Sequence, residues 1–358
     1  MGGMGSQREP WLERLGLQDF VNRVRAWEVP SDALIWTRFC GSLLTVLVVL
    51  LCFTGVFMAF YYSPAPGIAY DSVDYAQFRL PFGVLVRGIH HYGWNLLLVV
   101  MGVHLARAFL VGAYKSPREF LWISGVVALL IVPGFIVTGD LLPWDQKGYW
   151  STQVRTSIMA SVPVAGDLLV RMLLGGPRTG IVALTRFYVL HVIVLPAVLV
   201  AVIAVHFHFL RHRGLAGPIS GDQVPRKKVP FVPTMLNRWL FLFLTVTAVL
   251  GLVAWYWPAP LGDPADPTDS AFVPKPEWWV LSLNQLVAIF KGPLTVIGTT
   301  VIPGGLALVL VALPFLDRSP ERHPARRKKA MVVAAVIAAT LFALTVMGYI
   351  THHLVRHQ

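Results

Sequence analysis

Charge is scarce in this 358-residue chain. Asp, Glu, Lys and Arg together make up 13% of it, against about 25% in an ordinary soluble domain. Such a composition cannot clothe a soluble globule in polar side chains, and it excludes that class. Acidic residues are scarcer than basic ones, 18 against 30, for a formal net charge of +12. Cysteine is limited to Cys40 and Cys52. On one helix, twelve residues apart, these lie about 18 Å from each other, so no disulfide framework is available. The first 30 residues lack the apolar core of a cleavable signal peptide.

What is abundant is hydrocarbon. Hydrophobic residues reach 56% and the mean hydropathy is +0.64. Seven apolar runs stand out, near 38–61, 86–111, 120–139, 184–209, 238–257, 295–315 and 330–350. Each is long enough to cross about 30 Å of hydrocarbon as a helix, and lipid demands helices because it offers open backbone no partner. The predicted fold is an all-α polytopic membrane bundle with seven transmembrane helices.

The basic residues cluster in alternate connections. Arg8, Arg14, Arg23 and Arg25 precede the first span, and Lys115 and Arg118 follow the second. Arg211, Arg213, Arg226, Lys227 and Lys228 follow the fourth, and Arg318, Arg322, Arg326, Arg327, Lys328 and Lys329 follow the sixth. With seven spans all four segments share one side. The positive-inside rule makes that side the cytoplasm, with the N-terminus inside and the C-terminus outside. The basic excess is therefore topogenic, and a nucleic-acid partner is excluded. Residues 11–24 place Leu12, Leu15, Phe20 and Val24 at helical spacing, which predicts an interfacial helix. The long connections 62–85, 140–183 and 258–294 fall on the outer side, where function is expected; Ser161–Leu174 is predicted as a surface helix. A polar, basic seam at 210–237 suggests three parts: 1–30, a four-span unit 31–215 and a three-span unit 216–358.

Histidines at membrane depth are costly and point to function. His90 and His104 in the second span are 14 residues apart, so they share a helix face and lie about 21 Å apart along the axis. His191 and His206 in the fourth span are 15 apart, offset by about 60°. His91 falls about 140° from His104 and His208 about 100° from His191, so neither shares its neighbour's face. The second and fourth spans run antiparallel, which opposes His90 to His191 at the outer level and His104 to His206 at the inner level. Imidazole is a common axial ligand of haem iron, and two stacked bis-histidine haem sites follow. The competing reading is polar histidines hydrogen-bonded within the bundle. A metal-only site lacks clustered carboxylates or thiolates.

Glycines recur at a similar interval. Gly41 and Gly55 in the first span and Gly125 and Gly139 in the third are each 14 apart. Lacking a Cβ, one of each pair lets a flat macrocycle approach the backbone at each level; close helix packing is the alternative. Arg87, Arg107 and Arg186 are placed to pair with haem propionates or to anchor on lipid phosphate.

Together these residues resemble cytochrome b of the bc-type quinol-oxidising complexes. The resemblance covers most of the chain and rests on Arg87, His90 and His104, on Thr138-Gly139-Asp140-Leu141-Leu142-Pro143-Trp144, and on Arg186 leading to His191. It also rests on Pro276-Glu277-Trp278-Trp279, similar to the family's Pro-Glu-Trp-Tyr. The 15-residue interval, Trp144-Asp145-Gln146 and Lys115-Ser116-Pro117-Arg118-Glu119 are similar to the branch in which a four-span cytochrome and a three-span subunit IV are separate chains. Here both are joined, a four-helix di-haem core followed by a three-helix C-terminal module.

The resemblance implies the chemistry. Quinol is oxidised at an outer pocket, where Glu277 accepts a proton. One electron goes to a Rieske iron–sulfur protein and on to a c-type cytochrome. The other crosses two b-type haems to an inner quinone site that Arg211 and the N-terminal helix line, and the cycle drives proton translocation. A homodimeric complex in a bacterial inner membrane, with bound lipid, is implied likewise. The chain departs from the family at two places on the outer pocket. Asp140 replaces a tyrosine and adds a carboxylate that either carries protons or binds solvent at the rim. Trp279 replaces the terminal tyrosine and keeps a donor. The branch's cysteine that tethers an additional c-type haem aligns with Phe39, one residue before Cys40, which leaves a third haem open. Two other readings stand beside this one: a di-haem anchor serving a non-Rieske oxidoreductase, and a transporter using membrane histidines.

Overall fold

The computed structural model describes residues 10–30, 39–176, 179–216 and 228–354. Among these, seven helical spans are long and apolar enough to cross a bilayer. Four make the core: α3 (Phe39–Ala59), α5 (Gly83–Leu110), α6 (Glu119–Asp140), and the run of α9 (Ile181–Val189), a π-helical turn (Leu190–Val194) and α10 (Leu195–Arg213). Three make the second module: α11 (Phe231–Tyr256), the span ending in α13 (Ile302–Leu316), and α14 (Lys328–Tyr349). The apolar runs thus become helices within about four residues of their predicted ends, except that the fifth begins seven residues early, at Phe231.

Packing joins the two modules directly. α3 lies against α5, α6 against α10, and α11 against both α5 and α3. The core they share contains Leu47, Leu50, Ile89, Leu97, Val132, Ile136, Val246 and Leu250. Gly88 sets the approach of α5 to α11, because a Cβ there would overlap the Ala254 methyl. Elsewhere large apolar side chains such as Phe53, Phe241, Leu252 and Phe342 point outward, as a lipid-facing surface requires.

The connections read as outer, and so named, are more helical than the sequence predicts. They hold α4 (Ala69–Phe78), α7 (Gln146–Ala160), α8 (Gly166–Leu174) and α12 (Leu281–Ile289). The helix expected over Ser161–Leu174 begins only at Gly166, since Val164 just before it has φ +66°. Asp145 caps α7 by accepting from the Gly148 N–H at 2.8 Å and also accepts from Gly262 N–H. This ties the loop after α6 to the loop after α11.

The inner face departs from expectation at three points. The single N-terminal helix is two, α1 (Pro10–Arg14) and α2 (Gln18–Arg25), because Gly16 takes φ +66° between them. Their Trp11, Leu15 and Phe20 remain exposed. A two-stranded ribbon, β1 (Glu28–Pro30) with β2 (Lys228–Pro230), then pairs antiparallel and ties this segment to the start of α11. Finally, two of the basic residues read as topogenic are interior. Lys115 is 5% exposed and pairs with Asp317 at 2.7 Å. Arg327 is buried and donates to the Tyr114 hydroxyl and to the Phe109 and Leu110 carbonyls. Arg8, Arg226, Lys227 and the middle of the 210–237 seam lie outside the described residues.

Candidate functional site

The four histidines meet in the interior at two levels. At the outer level the rings of His90 and His191 have centroids 6.2 Å apart, tilted by 60°. At the inner level His104 lies within electrostatic reach of His206. The sequence intervals differ, 14 against 15, and the π turn at Leu190–Val194 explains this. It winds one residue more than an α turn, so the fourth span absorbs the extra residue.

Each histidine faces its own glycine from a neighbouring helix. A Cβ on Gly139 would stand 2.6 Å from the His191 ring, and one on Gly55 3.2 Å from His90. At the inner level the same distances are 3.5 Å for Gly125 to His206 and 3.8 Å for Gly41 to His104. Three of the rings are further fixed through Nδ1. Thr54 meets His90 at 3.0 Å, Ser124 meets His206 at 3.0 Å and Thr138 meets His191 at 3.1 Å, with the Phe135 carbonyl also on His191.

This donor set suits haem. Holding Nδ1 leaves Nε2 for a metal and sets the ring's orientation. The His90 and His191 rings are far enough apart to admit one metal between them at imidazole bonds of about 2 Å. Among the described residues no three His, Cys, Asp or Glu side chains gather as a metal ion alone would need. The hydroxyls escaped the sequence reading, yet each stands directly before a glycine, in Thr54-Gly55, Ser124-Gly125 and Thr138-Gly139. Cys40 holds that place before Gly41, and both cysteines are free.

The arginines are engaged by the protein itself. Arg87 pairs with Gln77 and donates to the Ala259 and Pro260 carbonyls. Arg186 donates to the Arg171 and Met172 carbonyls at the end of α8. Arg107 lies one turn beyond His104 and within its electrostatic reach. Arg211 stacks over Trp27 at 5.3 Å, and Trp27 stacks on Phe231 at 4.0 Å. It therefore belongs to the inner aromatic cluster beside the ribbon.

At the outer end, Glu277, Asp140 and Trp279 come together although 137 residues separate the first two. Trp279 Nε1 donates to Glu277 Oε2 at 2.9 Å. Lys147, which the sequence reading did not single out, pairs with both Glu277 and Asp140. Arg155 pairs with the other Asp140 oxygen at 2.7 Å. Asp140 is thus an ion-paired interior group, 13% exposed, and not a solvent-binding rim. Burial pulls the Lys147 ammonium down, but Asp140 and then Glu277 outweigh it and shift it upward.

Comparison with known proteins gives the family. Residues 95–264 match the family model described as cytochrome b (N-terminal)/b6/petB, and 264–355 match cytochrome b (C-terminal)/b6/petD. Cytochrome b6 of Prochlorococcus marinus strain MIT 9211 is 39% identical over 208 residues, which is 58% of this chain and 94% of that protein. Cytochrome b6 of strain AS9601 is 38% identical over 61% of this chain and all of its own length. A solved chain of a hyperthermophilic respiratory Complex III superposes with a TM-score of 0.80 at 28% identity, covering 95% of this chain and 90% of that one. Identity at this level over nearly a whole b6 chain, with the C-terminal match continuing where the first ends, means that this protein belongs to the cytochrome b family.

Proposed function

We propose that the chain carries two b-type haems, the outer held by His90 and His191 and the inner by His104 and His206. The chain is the cytochrome b-type redox subunit of a bc-type quinol-oxidising electron-transport complex and a multi-pass membrane protein. The observation that carries the haem assignment is the fourfold pairing of a membrane histidine with a glycine of the facing helix, at two levels. When bound, each haem supplies one-electron redox chemistry, the part that amino acids do not provide.

The chain's own residues supply the rest. His90, His104, His191 and His206 ligate; Thr54, Ser124 and Thr138 orient three of them. The glycines leave room for the macrocycle. Arg107 stands near the inner level, while Arg87 and Arg186 brace the outer loops that roof the outer one. Quinol releases two electrons and two protons, and Glu277 accepts one proton at its carboxylate. A haem held by His90 and His191 would supply one electron acceptor at the outer level, and a Rieske iron–sulfur protein and a c-type cytochrome are the proposed partners. Arg211, held by Trp27, lines the inner quinone site. The division at residues 215 and 216, an N-terminus in the cytoplasm, a bacterial inner membrane and a homodimeric, lipid-bearing complex complete the reading.

Haem quantification in the purified complex tests it. The intact protein is expected to hold two b-type haems per chain, and His191→Leu and His104→Leu are each expected to lose one while keeping the other. Unchanged haem content and spectrum in either variant would overturn the assignment.

A further inference from the structure

The outer cluster has a feature the proton step above does not use. Each oxygen of both carboxylates has a partner, and the two share one cation. Lys147 spans Asp140 Oδ1, at 3.1 Å, and Glu277 Oε1. The remaining oxygens are taken as well, Asp140 Oδ2 by Arg155 and Glu277 Oε2 by Trp279. Lys147 is the outermost member, with 38% of its side chain exposed against 13% for Asp140 and 15% for Glu277. His91 of α5 faces the same group, with Arg87 beyond it. The end of α14, which packs on Leu281 through Gly348, carries Tyr349.

A carboxylate that gains a proton loses the charge that holds a neighbouring cation. Of the two partners of Glu277, Trp279 is neutral and fixed in the core. Lys147 is charged, partly exposed and already bonded to a second carboxylate. Removing a cation from a buried carboxylate is expensive when it has nowhere to go. Here it has Asp140, which Arg155 pins in place.

Resting on the outer-site reading above, we propose that Lys147 is a positioning residue for quinol oxidation, a cation shared between Glu277 and Asp140 that releases Glu277 as it accepts the quinol proton. The quinol O–H bond breaks and an O–H bond forms on Glu277. The bonding electron pair stays on the quinol oxygen. Lys147 keeps its protons and rests on Asp140 alone. When Glu277 passes its proton outward, Lys147 returns. Asp140, standing where the family has a tyrosine, is the counter-anion that makes the exchange reversible.

The test is the pH profile of quinol oxidation by the purified complex, with haem content as the check on assembly. Because an adjacent cation favours the ionised carboxylate, Lys147→Gln is expected to move the acid limb upward by about one pH unit or more. Lys147→Arg is expected to restore it. Asp140→Asn gives Glu277 sole possession of Lys147 and is expected to move the limb downward. A limb that stays in place in Lys147→Gln, with the rate lowered evenly at all pH, overturns the proposal. If Lys147→Gln fails to assemble, an unmoved limb in Asp140→Asn overturns it equally. Glu277→Gln separates the two readings. If it retains both haems but loses fast oxidation together with the acid limb, the base assignment stands whatever Lys147 does. If it oxidises quinol normally, the underlying reading fails.

Discussion

At the inner face Lys115 joins the four-helix core to Asp317 of the three-helix module, with Arg327 beside it; at the outer face Lys147, paired with Asp140 of the core, joins it to Glu277 of the module, with Arg155 beside it. Both bridges use the same chemistry and are built oppositely. The inner cations are buried, and Arg327 also caps the carbonyl end of α5 through Phe109 and Leu110, where a cation is favourable. Tyr114 adds a bond to Asp317 at 2.5 Å. Every member there has partners it cannot exchange. The outer bridge leaves its central lysine at the surface with two interchangeable carboxylates. The histidine levels show the reverse gradation, since Gly139 and Gly55 press closer to their rings than Gly125 and Gly41 do. The outer half is therefore packed more closely around its histidines and more open around its ions, and the inner half has its cations buried.

The largest effect that can break this contrast is a lost inner cation. Lys115→Met removes the nearest cation from Asp317, which keeps Tyr114, Ser319 and the more distant Arg327, and is expected to cost about 1–3 kcal/mol, read from thermal unfolding followed by haem absorbance. Lys147→Met, where solvent reaches 38% of the lysine although its carboxylates are largely buried, is expected to cost about 1 kcal/mol or less in the same assay. Equal losses would erase the distinction. The pH dependence sharpens it. Burial pushes the Asp317 carboxyl up, but bonds from Lys115, Tyr114 and Ser319 outweigh it and hold it below the usual range. A lowered folded value contributes stability above the unfolded value near about 4 that is lost as pH falls through the folded one. The inner bridge should thus hold from neutral pH down to that range and loosen below it, and Asp317→Asn should remove the dependence.

The next effect separates the histidine levels. Gly139→Ala forces a methyl into the His191 ring and is expected to cost about 1–3 kcal/mol of strain, measured as loss of the outer b-haem in reduced spectra. Gly41→Ala meets His104 at ordinary contact distance and is expected to disturb the inner haem least of the four alanine variants. The reverse order would show that the macrocycle, and not the ring, sets the tolerance at these glycines.

How much of this was legible follows from what a helix period can encode. His90, His104, Gly41 and Gly125 lie within single helices, so spacing alone put them at matching depths. The spans were legible for the same reason: hydrocarbon length is a local property. Lys147 was not, because its partners sit 7 and 130 residues away and nothing nearby marks it. The ribbon of Val29 with Val229 is hidden likewise, being two three-residue strands 200 residues apart. Thr54, Ser124 and Thr138 were legible in principle as a hydroxyl before a glycine. They read instead as ordinary mid-helix residues that bond the carbonyls of the preceding turn, which Thr54 and Thr138 also do.

The smallest effect tests whether the inner face has a working site beside its buried bridge. Arg211 is held over Trp27 by a cation–π contact, worth about 0.5–1 kcal/mol at an exposed position. Arg211→Gln should therefore barely change thermal unfolding. Its expected signature is kinetic: reduction of the b-haems by quinol through the outer site proceeds as before, and their reoxidation by quinone slows. The contrast with Lys115 is what gives the measurement force. A variant at Lys115 should lower stability with no selective change in either electron-transfer phase, and Arg211→Gln should do the opposite. If Arg211→Gln slowed neither phase, the cation would serve only to fix the N-terminal segment on α11, and the inner quinone site would have to be sought elsewhere on that face.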